Sequence, residues 1–128
     1  MIVAGIGSRK DVSEQQVLNA IEAALAEHKL GPSDIDGLAT VSLKRDETAI
    51  QTAAQRLGLP LHIIDETELA RAGTGTLTHS ERSLALTGAG SASEAAALAA
   101  AGEGSRLLGP RVLFNSVTCA LAISGETQ

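Results

Sequence analysis

VAGIGSRKDVSEQQ, residues 3–16, leads from an apolar run through two glycines and two cations to the start of a helix. The apolar run over 2–6 is short and uninterrupted, which is typical of a buried strand. Ser13 and Gln16 stand three residues apart, as the two partners of a helix-capping box do. This stretch therefore predicts a strand, a tight glycine turn and then a helix.

The same order repeats through the first half of the chain. Apolar residues at helical spacing follow Ser13, and Gly31 with Pro32 gives a stop signal. A second strand is predicted over 38–43, then a helix that ends at Gly58, then a third strand over 61–64. Strand, helix, strand, helix, strand with short connections indicates a parallel sheet with right-handed crossovers.

The second half predicts a different arrangement. A short helix is expected over 66–72 and a loop over 72–80. Residues 80–86 fit a helix or a strand, and a short helix capped by Ser80 is favoured. A helix over 92–101 follows, with Ser91 and Glu94 as its capping pair. Strands over 106–108 and 117–123 are joined by GPRVLFNS, a loop short enough for antiparallel pairing. We expect one three-layer α/β/α domain over 1–128, with a mixed, mostly parallel sheet of about five strands and an antiparallel pair at its end.

The composition disfavours several classes of function. With 10 Lys and Arg against 15 Asp and Glu, the net charge of −5 disfavours nucleic-acid binding. Cys119 is the single cysteine and lies in an apolar run, so we expect a buried, unreactive thiol. The three histidines are dispersed without metal-site spacing. No signal peptide or membrane span is predicted, and a cytoplasmic protein is expected.

Two pairs of cations follow the first two predicted strands. Arg9 and Lys10 follow the first strand, and Lys44 and Arg45 follow the second. Because the carboxyl ends of parallel strands meet at one edge of a sheet, where open α/β sheets bind ligands, these cations are expected to cluster. GIGSRK is neither a Walker A loop nor a full dinucleotide motif, since Lys10 occupies the third glycine position. A turn with solvated cations explains its spacing equally well.

Other residues near the same predicted edge can each be interpreted in two ways, as functional or as structural. The backbone at Gly90 and the hydroxyls of Ser91 and Ser93 stand at a helix start that suits a carboxylate or phosphate, although Ser91 also serves as a simple cap. Arg111 either reaches this edge or is an ordinary exposed arginine. In the segment after the second strand, the acidic pair Asp46 and Glu47 either stabilises the next helix through its dipole or supplies acid–base groups.

Taken in order, these pieces resemble the CobE and CbiG carboxyl-terminal domain family of cobalamin biosynthesis. The resemblance runs through GIGSRK, ATVSLKRDE, LGLPL, TGAGSASEAAAL and VTCALAIS, which together cover nearly the whole chain. Because Met1 stands immediately before the first strand, the stand-alone CobE-like form is expected. Ser8 stands where the family often has a cysteine, and Arg111 stands where a lysine is common.

The resemblance implies a cobalamin-biosynthesis protein that binds a polycarboxylate precorrin or corrinoid intermediate, as an accessory or carrier and without a cofactor. Other enzymes of the pathway are the further partners it suggests. The ligand-binding residues it suggests are Gly5, Gly7, Ser8, Arg9, Lys10, Lys44, Arg45, Gly90, Ser91, Ser93 and Arg111.

Two alternatives belong to other classes. One is a hydrolase that opens a precorrin lactone ring with loss of acetaldehyde, with Lys44, Asp46, Glu47 or Glu94 as the catalytic residue. The other is a phosphate- or nucleotide-binding protein that uses the GIGSRK loop.

Overall fold

The computed structural model describes residues 1–8, 12–41, 48–65, 67–69, 92–102, 104–114 and 116–124. Strands and helices alternate through the first half, as the sequence predicts. In chain order the elements are β1 (Ile2–Ser8), α1 (Glu14–Glu27), a short 3-10 helix (Pro32–Asp34), β2 (Gly37–Val41), α2 (Thr48–Leu57), β3 (Leu61–Ile64), α3 (Ala92–Ala101), β4 (Arg106–Leu107), β5 (Val112–Phe114) and β6 (Val117–Ile123).

The strands form one mixed sheet in the order β3-β2-β1-β6-β4, with β5 also paired to β6. β1, β2 and β3 are parallel. β6 runs antiparallel to β1 along its whole length, from the Ile2–Ile123 pair to the Ser8–Val117 pair. The predicted mixed sheet, parallel in its first half and antiparallel at the end, is confirmed, with six strands where about five were expected.

The outer edge beside β6 differs from the prediction. The segment 109–116 was expected to be a loop, but it contains β5, which pairs with the first half of β6. Arg106 pairs with Ile123 of β6, and Val112 pairs with Cys119 of β6. Between these two pairs the edge segment contains two residues more than β6 does. β4 and β5 are therefore one edge strand interrupted by a bulge, the segment 108–111, which begins where the Leu108 N–H donates to the Leu121 carbonyl at 2.9 Å.

Helices cover both faces of the sheet, which confirms the three layers. On one face α1 and α2 pack over β1, β2 and β6, and their small and branched apolar side chains enclose Ile6, Leu38 and Leu121. On the other face α3 packs on Val3, Ala39 and Ala122. These two clusters make a core from aliphatic side chains, as the near absence of aromatic residues requires.

Gly5 and Gly7 lie inside β1 rather than in a turn after it, which corrects the prediction for GIGSRK. A Cβ at Gly5 would lie 2.0 Å from the Ser93 carbonyl oxygen and 2.8 Å from the Ala97 nitrogen. A Cβ at Gly7 would lie 3.7 Å from the Ser93 Cβ. Gly5 thus lets α3 lie directly on β1, whereas the atom closest to a Cβ at Gly7 would be the Thr118 hydroxyl oxygen on β6, at 2.7 Å. Since the contact moves from Ala97 to Ser93 along β1, the helix runs antiparallel to the strand.

Local signals at the helix ends are mostly confirmed. The Ser13 hydroxyl accepts from the Gln16 N–H at 3.1 Å, and the Gln16 side chain accepts from the Ser13 N–H at 2.8 Å, which completes the predicted capping box. Gly58 ends α2 with φ +70°, as expected. α1 ends earlier than the Gly31 stop signal, at Glu27, because Lys29 adopts the left-handed conformation with φ 58°.

Several predicted elements fall partly or wholly outside the described residues. Of the short helix expected over 66–72, residues 67–69 are helical. The loop over 72–80, the helix over 80–86 and the last two residues of the strand expected over 38–43 stay predictions.

Candidate functional site

The carboxyl ends of β1 and β2 lie side by side. Ile6 pairs with Thr40 in register, and the Thr40 hydroxyl donates to the Ile6 carbonyl at 2.9 Å. β1 ends at Ser8 and β2 ends at Val41, so the two chain segments that follow start from neighbouring positions. Those segments carry the predicted cations and acids, Arg9, Lys10, Lys44, Arg45, Asp46 and Glu47, which lie outside the described residues.

The amino end of α3 lies at this same edge. Ser93, in the first turn of α3, faces Gly7 near the end of β1, with the Ser93 nitrogen 3.9 Å from where a Gly7 Cβ would stand. On the same face of the sheet, the hydroxyl of Thr118 from β6 donates to the Gly7 carbonyl at 3.3 Å. The structure therefore brings Gly7 and Ser93 together, while Gly90 and Ser91 lie outside the described residues. We call this region the carboxyl edge of the sheet.

Among the described residues of the carboxyl edge, two hydroxyls are buried without a hydrogen-bond partner. They belong to Ser8 and Ser93, and Ser93 as a residue is 1% exposed. Because side chains alternate along a strand and Ile6 faces α1 and α2, Ser8 also faces that side, whereas Ser93 lies on the α3 side. A buried hydroxyl without a partner costs about 1–3 kcal/mol. These two groups therefore retain hydrogen-bonding capacity at the carboxyl edge.

Glu94 and Arg111 are joined by a contact that the sequence did not predict. The Glu94 side chain is fully buried, and its Oε2 accepts from the Arg111 backbone N–H at 2.8 Å. The positive end of the α3 dipole favours a carboxylate in this first turn. The contact links the start of α3 to the bulge between β4 and β5. No local signal could reveal it, because the two residues lie on different elements.

Apolar side chains on β5 are exposed next to Arg111. Leu113 is 67% exposed and Phe114, the single aromatic residue, is 40% exposed. Val112 packs into the core beside α1 and α2, so alternation directs Leu113 to the α3 side of the sheet. This exposed apolar surface was not predicted from the sequence, because the segment 109–116 was expected to be a loop.

Cys119 is buried in the centre of the sheet, as predicted. Desolvation raises the pKa of its thiol to about 12, so the thiol stays protonated at neutral pH. A protonated, buried thiol is a poor nucleophile.

The described ranges contain no group of three His, Cys, Asp or Glu side chains placed to hold a metal ion. Among their helices, none has both the length and the apolar character that crossing a membrane requires.

The fold and the carboxyl edge define an open, mixed-sheet α/β domain, a class whose ligand sites lie at the carboxyl ends of parallel strands. Residues 2–122 match the family described as "Cobalamin synthesis G C-terminus". The chain belongs to this family and is a cobalamin-biosynthesis protein.

Individual relatives agree with this assignment. "Protein CobE" from Sinorhizobium sp is 30% identical over 121 residues, which cover 94% of this chain and 79% of the relative. The crystal structure of CobE, described as a protein from the cobalamin (vitamin B12) biosynthetic pathway, has a TM-score of 0.89 at 34% identity and covers 95% of this chain and 89% of its own. The crystal structure of cobalamin biosynthesis protein chiG from Agrobacterium tumefaciens str. C58 has a TM-score of 0.79 at 40% identity. The match covers 98% of this chain and 100% of the chiG chain.

A more distant structure shares the fold alone. A putative cobalamin biosynthesis protein G homolog from Sulfolobus solfataricus has a TM-score of 0.69 at 23% identity. The match covers 94% of this chain but 36% of the homolog. The same domain fold thus occurs within a much longer chain.

Proposed function

We propose that this protein binds a polycarboxylate precorrin or corrinoid intermediate of cobalamin synthesis, as an accessory or carrier protein. Membership of a cobalamin-biosynthesis family supports the pathway. Intermediates of this kind carry acetate and propionate carboxylates around a large ring, so a binding site for them needs cations and N–H donors along a rim and an apolar surface beneath the ring.

The observation that carries the proposal is that the ends of β1 and β2 and the start of α3 lie next to one another. β1 and β2 end next to each other, and the first turn of α3 lies against the end of β1. Four cations follow these two strands within a few residues in a protein whose net charge is −5. Charge-assisted hydrogen bonds from Arg9, Lys10, Lys44 and Arg45 to ligand carboxylates would be the strongest contacts of such a site.

The buried hydroxyls and the exposed apolar residues complete the proposed arrangement. Ser93 has hydrogen-bonding capacity at the start of α3, where the helix dipole favours an anionic partner. Leu113 offers exposed aliphatic surface on the α3 side of β5. The face of the ring would rest on this apolar surface while its carboxylates meet the cations.

Titration with purified hydrogenobyrinic acid tests the proposal. We expect a saturable change in the corrinoid absorption spectrum, with mass spectrometry recovering the ligand unaltered. Reversing two charges at once, with Lys44→Glu and Arg45→Glu, should weaken the affinity by at least a few-fold because charge-assisted bonds become repulsions.

A matched variant controls for the change in net charge. Lys29→Glu with Arg106→Glu introduces the same four-unit change elsewhere. Arg106 pairs with Ile123, which pairs with Ile2 at the amino end of β1. Lys29 follows the helix that returns the chain to that end. This control should bind nearly as the wild type does, and equal losses in the two variants would contradict a site at the carboxyl edge.

The same titration distinguishes the other functions. Release of acetaldehyde or a change in the mass of the corrinoid would indicate a lactone hydrolase, and Lys44, Asp46, Glu47 and Glu94 would then be the residues to replace. Binding of a nucleotide in place of the corrinoid would indicate that the GIGSRK segment serves phosphate recognition.

A further inference from the structure

We propose that Glu94 is a positioning residue that fixes the bulge before β5, and that Arg111, held there, binds one carboxylate of the ligand. The inference rests on the proposed corrinoid binding and assigns two residues to it. It gives Glu94 a role other than the catalytic one considered for a hydrolase.

Burial keeps the Glu94 side chain out of contact with a large ligand. The Glu94 side chain is fully buried, so its carboxylate has no surface through which to contact a large ligand. Its Oε2 accepts from the backbone N–H of Arg111, at 2.8 Å, and not from the guanidinium. Within the described ranges the ion pair joins Arg56 to Glu14 instead, so the Arg111 guanidinium has no described carboxylate beside it. Glu94 holds the backbone and leaves the cation for another partner.

The bulge supplies the second step. Its two extra residues interrupt the hydrogen bonding between the edge strand and β6, and a backbone N–H that loses its partner strand needs another acceptor. Glu94 supplies that acceptor from the first turn of α3. Bulges often redirect a side chain next to a functional site. Here the contact ties the position of Arg111 to the start of α3.

The direction of the strand supplies the third step. Val112 packs into the core beside α1 and α2, so alternation along β5 places Leu113 on the opposite, α3 side of the sheet. Arg111 is the last residue of the bulge, and its backbone N–H donates to Glu94 in α3. Arg111 is partly exposed there and Leu113 is largely exposed. A cation beside an exposed apolar side chain matches a ligand that has carboxylates on the rim of an apolar ring. A guanidinium also pairs with a carboxylate through two parallel hydrogen bonds.

A double-mutant cycle tests whether Glu94 acts through Arg111. The variants are Glu94→Ala, Arg111→Ala and the two combined, each measured for hydrogenobyrinic acid affinity by absorbance and for stability by chemical denaturation. Each single variant should weaken the affinity about three- to ten-fold, and the combined variant should bind no worse than Arg111→Ala. The free energy of unfolding should follow a different pattern, because the alanine in Arg111→Ala keeps the backbone N–H that donates to Glu94. Glu94→Ala should therefore destabilise both backgrounds equally.

Two more variants keep the test decisive if Glu94→Ala does not fold. Glu94→Gln retains an acceptor oxygen at the same reach and should bind the corrinoid within two-fold of the wild type. Glu94→Asp shortens the side chain by one methylene and should lose affinity as the alanine variant does. Independent losses of affinity from Glu94 and Arg111 would overturn the inference. So would loss of any acetaldehyde release in Glu94→Gln with binding intact, because Glu94 would then be catalytic.

Failure of the proposed function is distinguishable from failure of the inference. If wild-type protein does not bind hydrogenobyrinic acid, the proposed function fails and the ligand role of Arg111 fails with it. The positioning contact is then judged by hydrogen exchange at the Arg111 amide, which should be slow in the wild type and in Glu94→Gln and at least ten-fold faster in Glu94→Ala or Glu94→Asp. Equal exchange in all four proteins would overturn the positioning role as well.

Discussion

At the scale of single residues, Gly5 decides how closely the third layer packs. The Ser93 carbonyl oxygen and the Ala97 nitrogen both stand where a Gly5 Cβ would be, and both are backbone atoms that a side-chain rotation cannot move. Any other residue at position 5 would push α3 away from β1. Because α3 also packs on β2 and β6, that movement would disturb the whole face of the sheet.

Gly5→Ala is therefore expected to be strongly destabilising, by about 3 kcal/mol or more, since overpacking against backbone has little room to relax. The measurement is the free energy of unfolding in urea. Gly31→Ala is the matched control, because only the Asp34 Oδ2 lies within 4 Å of a Cβ there, at 3.9 Å, and its effect should stay within about 0.5 kcal/mol. Similar unfolding midpoints for the two variants would show that α3 does not need the glycine.

The residues of the candidate site divide according to what a local pattern can reveal. The turn predicted at the glycines of GIGSRK is wrong, because the helix that packs on Gly5 comes far later in the chain; their role in ligand binding stays a prediction. Ser93 and Arg111 were identified from their positions next to a helix start and a strand. The buried contact between Glu94 and Arg111 depends on the tertiary fold and carries no sequence signature.

At the scale of elements, short-range signals set most boundaries. The predicted spans 61–64, 92–101 and 117–123 coincide with β3, α3 and β6. Alternation of apolar runs with cap and glycine signals is enough there, because these elements are long enough or apolar enough to carry a local pattern. β5 was missed because it has three residues, two of them exposed, and exists through its pairing with β6.

The capping box of α1 gives a prediction for one element. Ser13→Ala removes the acceptor for the Gln16 N–H and should lower the free energy of unfolding by about 1 kcal/mol. Thermal denaturation monitored by helical circular dichroism measures the effect. Ser33→Ala, at an exposed position in the 3-10 helix, serves as the comparison and should change stability much less. A Ser13→Ala variant as stable as Ser33→Ala would mean that the box contributes little to α1.

At the scale of the whole molecule, the net charge opposes the proposed ligand. The net charge of −5 would repel a polycarboxylate at long range, whereas the cations of the proposed site would attract it at short range. Salt screens both effects, with a Debye length of about 10 Å at 0.1 M. The sign of the salt effect therefore reports which of the two dominates.

We expect the affinity for hydrogenobyrinic acid to fall several-fold between low salt and about 0.5 M sodium chloride, because screening weakens the charge-assisted contacts of the proposed site. Absorbance titrations at constant pH over a series of salt concentrations measure this trend. The Lys44→Glu, Arg45→Glu variant should lose most of the dependence. An affinity that rises with salt would mean that overall repulsion dominates and that the cations do not act together.

The pairing of β1 with β6 has a consequence for how the protein is made. The two central neighbours of the sheet come from opposite ends of the described chain, and the Met1 amino group even donates to the Ser124 hydroxyl at 3.1 Å. During synthesis β1 precedes β6 by more than 100 residues, so one edge of β1 stays open until residue 123 has emerged from the ribosome. The domain therefore cannot complete its sheet in stages, and closure of its core waits for its last strand.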